Sequence, residues 1–153
     1  MKDKTIRNIR LCLFAALSLC AGWILLMSMH FFQLLSDSEN IDWLVNGFWK
    51  AILIVMYVGS AAVSMFLCIK IVLNTFRGLR ENTVFPKNNV GLLFLLALTF
   101  FIYSFCRTNE SVLYDEVVFR LISDIFLIPF FIVFFAFMYK VAADAVEENN
   151  LTV

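Results

Sequence analysis

The stretch "FWKAILIVMYVGSAAVSMFLCIKIVLNTF", Phe48 to Phe76, decides the fold. It is apolar almost throughout, and its only charged residues are Lys50 and Lys70, which lie near its ends. At about 1.5 Å per helical residue, it is long enough to cross the roughly 30 Å hydrocarbon core of a bilayer. It lacks the period-2 alternation of a half-buried strand, and backbone groups in lipid must pair within their own segment. The stretch therefore predicts a transmembrane helix.

The composition of the whole chain points to the same environment. Hydrophobic residues make up 62% of the chain, 18 residues are phenylalanine, only 16% are charged, and the mean hydropathy is +0.88. Such a chain has too little polar surface to cover a soluble globule, so we predict that it lives in a lipid bilayer. Its net charge is zero and it has no basic stripe, which argues against direct binding of nucleic acid.

Three further apolar runs have the length of a membrane span. The first follows "MKDKTIRNIR", but it is too long for the apolar core of a secretory signal and has no small-x-small cleavage site, so we expect it to be retained. The third run is bulky, and we expect it to face lipid or fill gaps. The prediction is an all-α, polytopic membrane protein: a four-transmembrane-helix bundle in a single domain, 1–153, with helices at about 11–35, 48–76, 90–106 and 117–143 and a tail at 144–153.

The lysines and arginines predict the orientation of this bundle. Nine of the twelve lie before helix 1, around the connection between helices 2 and 3, or near the end of helix 4. The first outer loop, "SDSENID", contains three acidic residues and no cation. The positive-inside rule then places both termini and the middle connection in the cytoplasm. The predicted location is the cell inner (plasma) membrane, multi-pass, with N-in and C-in topology.

The sequence offers little for catalysis. It has no HExxH, GxSxG or Walker motif, and no pair of intramembrane aspartates. The four cysteines lie within or at the edges of spans, without metal-binding spacing, and are expected to be small apolar side chains: Cys12, Cys20, Cys68 and Cys106. We predict a non-enzymatic protein without a cofactor or metal.

Two ionisable residues fall inside predicted spans. Asp124 is predicted about a turn and a half into helix 4, five residues before Pro129, whose missing N–H leaves the carbonyl of Ile125 without its helical partner. His30 lies at a comparable depth in helix 1. A His30–Asp124 pair would reduce the cost of placing a charge in lipid. A structural polar contact, a small-ligand or proton site, and no contact at all remain alternatives.

The connection "RGLRENTVFPKNNVG", Arg77 to Gly91, is the polar interval between helices 2 and 3. Gly78 is expected to end helix 2 as a left-handed cap, and Asn89 to cap the first turn of helix 3. Phe85, held extended by Pro86, is expected to anchor in the membrane interface.

Small residues spaced four apart predict close helix packing in lipid. Helix 1 carries Ser18 and Gly22, and helix 2 carries Ser60 and Ser64. Such pairs let two backbones approach each other, so we expect both to lie at helix interfaces.

Two short motifs resemble a known family. The spacing Phe85-x-x-x-Asn89-Val90 after a charged turn, together with the closing "EENNLTV", Glu147 to Val153, resembles the bacterial four-helix membrane family called domain of unknown function 2975. Val84 and Asn150 depart from the proline and aspartate that this family favours. The resemblance implies a membrane partner for a small helix-turn-helix regulator, because genes for such regulators commonly neighbour the family's genes.

The tail combines with the middle connection in the functional prediction. Asp144, Glu147 and Glu148 face an unfavourable helix dipole, so the tail should fray unless cations such as Arg77 and Arg80 pair with it. The predicted cytoplasmic docking surface comprises Arg77, Arg80, Phe85, Asn89, Glu147, Glu148, Leu151 and Val153. We predict an accessory or signalling component that docks a cytoplasmic regulatory protein, and a homo-oligomer is compatible with this. The alternative is a self-protection (immunity) protein against a membrane-active peptide or toxin.

Overall fold

A computed structural model describes residues 3–37, 41, 43–81, 83–114, 120–121 and 123–151, except for the side chains of 3, 4, 35 and 149–151. It contains four long helices: α1 (Asp3–Ser36), α2 (Gly47–Arg80), α3 (Asn88–Thr108) and α4 (Leu127–Leu151). Two short 3-10 turns lie between α3 and α4, at Glu110–Tyr114 and Asp124–Phe126. These ranges contain no strand. The predicted all-α, four-helix architecture is confirmed.

All four helices are long and apolar enough to cross a membrane, so the chain is a multi-pass membrane protein. Their outward faces carry large apolar side chains, for example Leu25 and Phe32 on α1 and Phe130 and Phe135 on α4. A water-soluble protein would bury most of these side chains. In a bilayer the same faces contact lipid at no cost.

The helix α3 lies at the centre of the bundle, packed between α2 and α4, while α1 packs against α2. The expectation that helix 3 is a lipid-facing or gap-filling element is therefore wrong. Its small residues explain the central position, because Ala97, Thr99 and Ser104 are buried and let neighbouring helices approach. On the facing helix, buried Ser64 donates a hydrogen bond to Thr99 Oγ1 at 2.9 Å.

The two small-residue pairs have different outcomes. Ser60 and Ser64 are buried on α2, as expected for an interface. The pair on α1 packs against nothing in the described residues: Ser18 is exposed and bonds the Phe14 carbonyl of its own helix, and a Cβ on Gly22 would meet open space. The prediction of close packing at Ser18 and Gly22 is wrong for this single chain.

Helix α4 begins later and ends later than predicted. Arg120, Leu121 and Ser123 are not helical, and the start predicted at 117 lies outside the described residues. Pro129 explains the late start, because a proline without its N–H is tolerated in the first turn of a helix. The carbonyl of Ile125 is expected to lack a helical partner, and the buried Ser104 hydroxyl donates to it at 3.4 Å.

Polar residues mark two levels along the bundle. The termini end holds the start of α1, the end of α4 and the turn at 81–87, and the distal end holds the other helix ends. On α1 and α3, residues at the two levels are separated by about 18 to 20 positions, or about 27 to 30 Å: Arg10 and His30 on α1, and Asn89 and Arg107 on α3. Asp124, in the 3-10 turn before α4, and Asp144, within α4, are 20 positions apart. This spacing matches the hydrocarbon core of a bilayer.

Candidate functional site

The turn between α2 and α3, described at residues 81 and 83–87, folds tightly against α2 at the termini end. Helix α2 runs through Gly78 to Arg80, and Gly78 does not adopt a positive φ, so the predicted left-handed cap is wrong. The glycine serves close approach instead. A Cβ at Gly78 would lie 2.6 Å from Pro86 Cγ and 2.6 Å from the Thr83 carbonyl oxygen. Only a residue without a side chain lets the turn pack here.

Asn89 holds three helices together directly after this turn. It is the second residue of α3, is fully buried, and makes no helix cap, so its predicted capping role is wrong. Its side-chain amide lies 3.0 Å from Thr75 Oγ1 and 3.2 Å from the Ile71 carbonyl on α2, and 3.2 Å from the Tyr139 hydroxyl on α4. Its carbonyl oxygen accepts from Asn74 Nδ2 at 3.0 Å. Every polar atom of this side chain is therefore used.

Tyr139 connects the turn to α4. Its hydroxyl lies 3.4 Å from the Pro86 carbonyl oxygen, and its ring meets the Phe85 ring edge-on, with centroids 5.3 Å apart. Phe85 is consequently half-buried against the protein. It is fixed by α4 and does not extend freely into the membrane interface.

Ion pairs extend this connection to the end of α4. Lys87 Nζ lies 3.7 Å from Asp144 Oδ1 and also pairs with Glu147. A cation here offsets the unfavourable interaction of acidic residues with the C-terminal helix dipole. The helix continues as far as Leu151, past the predicted end at about 143, and a cation does pair with its acidic residues.

The predicted docking residues divide into three groups. Arg77, Arg80, Glu147 and Glu148 are exposed, whereas Asn89 is buried and serves as a positioning residue. Glu147 pairs with Lys87, a cation that the sequence-based hypothesis did not name for this role. The fold-back onto Arg77 and Arg80 stays a prediction for Glu148. Leu151 is the last helical residue, its side chain is not described, and Val153 lies outside the described residues.

A small polar cleft opens beside the turn. It has a volume of about 170 Å³ and is lined by Asn74, Arg77, Gly78, Glu81, Thr83, Pro86 and Asn88. We call the exposed and half-buried side chains of this end the termini-end surface, consisting of Arg77, Arg80, Phe85, Lys87, Asp144, Glu147 and Glu148.

A charged cluster occupies the distal end. His30 Nε2 lies 2.8 Å from a guanidinium nitrogen of Arg107 and 3.2 Å from Glu110 Oε1, and Arg107 also pairs with Glu110. Nε2 accepts from Arg107 only when it carries no hydrogen, and donates to Glu110 only when it carries one. The two contacts of His30 are therefore alternatives set by its protonation and tautomer.

Two tyrosines support the cluster from below. Tyr57 on α2 is buried and stacks on Tyr103 of α3, with centroids 5.3 Å apart. The Tyr103 hydroxyl contacts Met27 Sδ on α1 at 3.7 Å. The Tyr57 hydroxyl has no hydrogen-bond partner within the described part of the chain. An unpartnered buried hydroxyl costs stability, which distinguishes this cluster from the network around Asn89.

Asn109 fixes the loop that carries Glu110. It is buried, and its side-chain amide donates to the Phe105 carbonyl at 2.9 Å and to the Arg120 carbonyl at 3.0 Å. Its carbonyl oxygen accepts from the Arg120 backbone N–H at 2.7 Å. The chain on both sides of the undescribed segment 115–119 is thus tied together.

The structure does not bring His30 and Asp124 together. Asp124 is exposed in a 3-10 turn before α4, while the polar partners of His30 are Arg107 and Glu110. The prediction failed because Asp124 was assigned to a helix interior, and the late start of α4 moves it to the membrane boundary. The local spacing of Arg107 and Glu110 at i and i+3 was available in the sequence and could have suggested their pairing.

The described residues contain no cluster of three or more histidine, cysteine or acidic side chains arranged to hold a metal ion. Comparison with protein-family models, with curated proteins and with solved structures finds no match to this chain.

Proposed function

We propose that this chain is a small, non-enzymatic accessory or signalling component of the inner (plasma) membrane. In this proposal the termini-end surface faces the cytoplasm, in line with the positive-inside rule, and docks a cytoplasmic protein. A helix-turn-helix regulator is the partner implied by the family resemblance, which stays a prediction. The proposal extends the sequence-based hypothesis by giving the surface a defined architecture.

One observation carries the proposal: the turn at 81–87 and the end of α4 form one connected surface. Asn89, Tyr139 and Pro86 join them through partly buried hydrogen bonds, and Lys87 joins them through ion pairs. A turn that merely reversed the chain would need no contact with a helix remote in sequence. Fixing a surface before binding reduces the conformational entropy lost on association.

The last residues of α4 extend the termini-end surface away from the bilayer. About seven residues follow Asp144 before the helix ends at Leu151, which corresponds to about 10 Å. The exposed groups carry both signs: Arg77 and Arg80 are cationic, and Glu147 and Glu148 are acidic. Such a surface suits electrostatic selection of a soluble partner.

Photo-crosslinking in cells tests the proposal. A photoreactive amino acid would replace exposed Arg80 or exposed Ala145, and exposed Phe135, a lipid-facing residue of the same helix as Ala145, would provide the control. We expect both test positions to yield an adduct with the same cytoplasmic protein, and Phe135 to yield none. Identical patterns at all three positions would rule out the docking role.

Truncation after Val146 provides the second arm. It removes Glu147 and the last helical residues while leaving the Asn89 network intact. We expect normal abundance in the membrane and loss of the adduct from Arg80. Normal abundance with an unchanged adduct would show that the end of α4 takes no part in docking.

The alternative function, self-protection against a membrane-active peptide or toxin, would use the distal end. One observation favours it, namely the exposed apolar residues around the start of α2, which include Trp43 in the preceding turn and Phe48 and Trp49 in the helix. An apolar patch outside the hydrocarbon core is a common feature of binding surfaces. The self-protection function requires this patch to be accessible to the peptide or toxin.

A further inference from the structure

The residues 43–49, "WLVNGFW", form an exposed apolar stretch at the distal end, here called the distal apolar stretch. Trp43, Leu44, Val45, Phe48 and Trp49 are all exposed, with Phe48 at 72% and Trp49 at 64%. Asn46 adopts the left-handed conformation, with φ 55°, and its carbonyl accepts from the backbone N–H groups of Trp49 and Lys50. The local fold therefore holds these side chains in place on the outside.

In the first turn of α2 the charged side chain is buried and the aromatic side chains are exposed, the reverse of a helix end in water. Lys50 is only 3% exposed, whereas the neighbouring Phe48 and Trp49 face outward. In water the ammonium group would face the solvent and the aromatic rings would turn inward. The arrangement fits surroundings that are apolar, with the charged residue sheltered by the protein.

The depth of the stretch follows from the polar levels. Tyr57 on α2 stacks on Tyr103 of α3, so these two residues lie at the same depth. Arg107 lies about one helical turn closer to the distal end than Tyr103, and the residue of α2 one turn from Tyr57 in the same direction is Leu53. Trp49 lies about one further turn outward, or about 6 Å beyond the hydrocarbon core. A bilayer measures about 40 to 45 Å with its headgroup regions against about 30 Å without them, so each interface is about 5 to 8 Å thick.

The chain before the stretch is anchored at the same end of the bundle. Ile41 is buried in a cluster with Leu34, Leu53 and Leu113. Beyond it, the Trp43 side chain lies over Gly47, and the rings of Phe48 and Trp49 pack edge-on with centroids 5.5 Å apart. The three aromatic side chains thus lie on the few residues around the start of α2, and two of their rings are in contact.

From these observations we infer that the distal apolar stretch inserts into the lipid headgroup interface as a membrane anchor. Tryptophan is enriched at this depth because its ring is apolar and its N–H bonds water or headgroup oxygens. The occupant is lipid of the leaflet at the distal end, whichever compartment that leaflet faces. The inference removes the stretch from the surface available to a peptide or a second copy of the chain.

Tryptophan fluorescence in vesicles tests this inference, because the chain has only three tryptophans. A variant that keeps only Trp49 carries Trp23→Phe and Trp43→Phe, and the matched control keeps only Trp23, about 10 Å below the distal level on α1. Each is reconstituted in phosphatidylcholine brominated either near the headgroup or near the chain end. Aqueous iodide reports access from water.

We expect the Trp49 variant to lose more fluorescence to bromine near the headgroup than to bromine near the chain end, with the order reversed for the Trp23 variant. Quenching of Trp49 by iodide but by neither lipid would place the stretch in water. Protection from both would show that protein covers it. Either result overturns the inference.

The unmodified chain provides a measurement that does not depend on the substitutions. Two of its three tryptophans lie in the stretch, so its total emission should fall more with bromine near the headgroup. Equal quenching at both depths in the unmodified chain would contradict the anchor even if the variants failed to fold.

Discussion

The two ends of the bundle use polar groups in different ways. At the termini end, neutral amide and hydroxyl groups around buried Asn89 join α2, α3 and α4 with each side-chain polar atom bonded. At the distal end, His30, Arg107 and Glu110 carry ionisable groups with alternative pairings, and the Tyr57 hydroxyl below them lacks a partner in the described residues. The network around Asn89 holds its three helices in one arrangement, whereas the distal cluster permits more than one pairing.

This difference has a physical origin. A fully satisfied buried network rigidifies its surroundings, whereas a partly satisfied one leaves competing arrangements close in free energy. The termini end is therefore suited to present a fixed surface. The distal end allows more than one pairing among His30, Arg107 and Glu110.

The largest effect is expected from Asn89→Leu, which removes the contacts between three helices. It leaves the Asn74 amide without its acceptor and removes one partner each from the Tyr139 and Thr75 hydroxyls, and we expect a loss of about 2 to 3 kcal/mol of stability. Thermal unfolding in detergent, followed by circular dichroism, measures it. The control is Asn88→Ala at the neighbouring exposed position. Equal unfolding midpoints for the two variants would refute the contrast between the ends.

A smaller loss is expected from Gly78→Ala. The new methyl group would collide with Pro86 and with the Thr83 carbonyl, so the turn must shift, at a cost of about 1 to 2 kcal/mol. The control is Gly59→Ala in the same helix, where the space is open and alanine favours the helix. We expect Gly59→Ala to be neutral or stabilising in the same unfolding assay. A harmless Gly78→Ala would mean that the turn is not held against α2.

The smallest effect concerns the distal cluster. A double-mutant cycle of His30→Gln and Glu110→Gln should give a coupling of about 0.5 to 1 kcal/mol, because both side chains are partly exposed. The parallel cycle of His30→Gln with Asp124→Asn should be additive within experimental error. Coupling in the second cycle but not in the first would restore the pair predicted from the sequence.

The sequence was sufficient for the number and type of helices, because their length and apolar character are local properties. The boundaries of α4 were harder to predict, since an apolar run does not show where the chain enters the membrane, and Pro129 fits either a kink or a first turn. The central position of α3 was also hard to predict, because an apolar run does not show which of its faces packs against other helices. Its bulky residues are conspicuous, but Ala97, Thr99 and Ser104 determine its packing.

The candidate sites were only partly predictable. Asn89 was identified, but with the role of a local cap, because its contacts with Asn74 and Tyr139 depend on how three helices assemble. Lys87 was overlooked as the partner of the acidic tail in favour of Arg77 and Arg80. All three cations belong to the same connection, and only the packing of the turn against α4 decides which one reaches the acids.

The central claim, that the termini-end surface is presented to the cytoplasm, is tested most directly by membrane topology. Alkaline phosphatase is active only outside the cytoplasm, so fusions after Asn40 or Ser111 should be active and fusions after Asn82 or Val153 inactive. This follows from the excess of cations at the termini end. Activity after Asn82 and Val153, with inactive fusions after Asn40 and Ser111, would place the surface outside and contradict the proposed docking of a cytoplasmic protein.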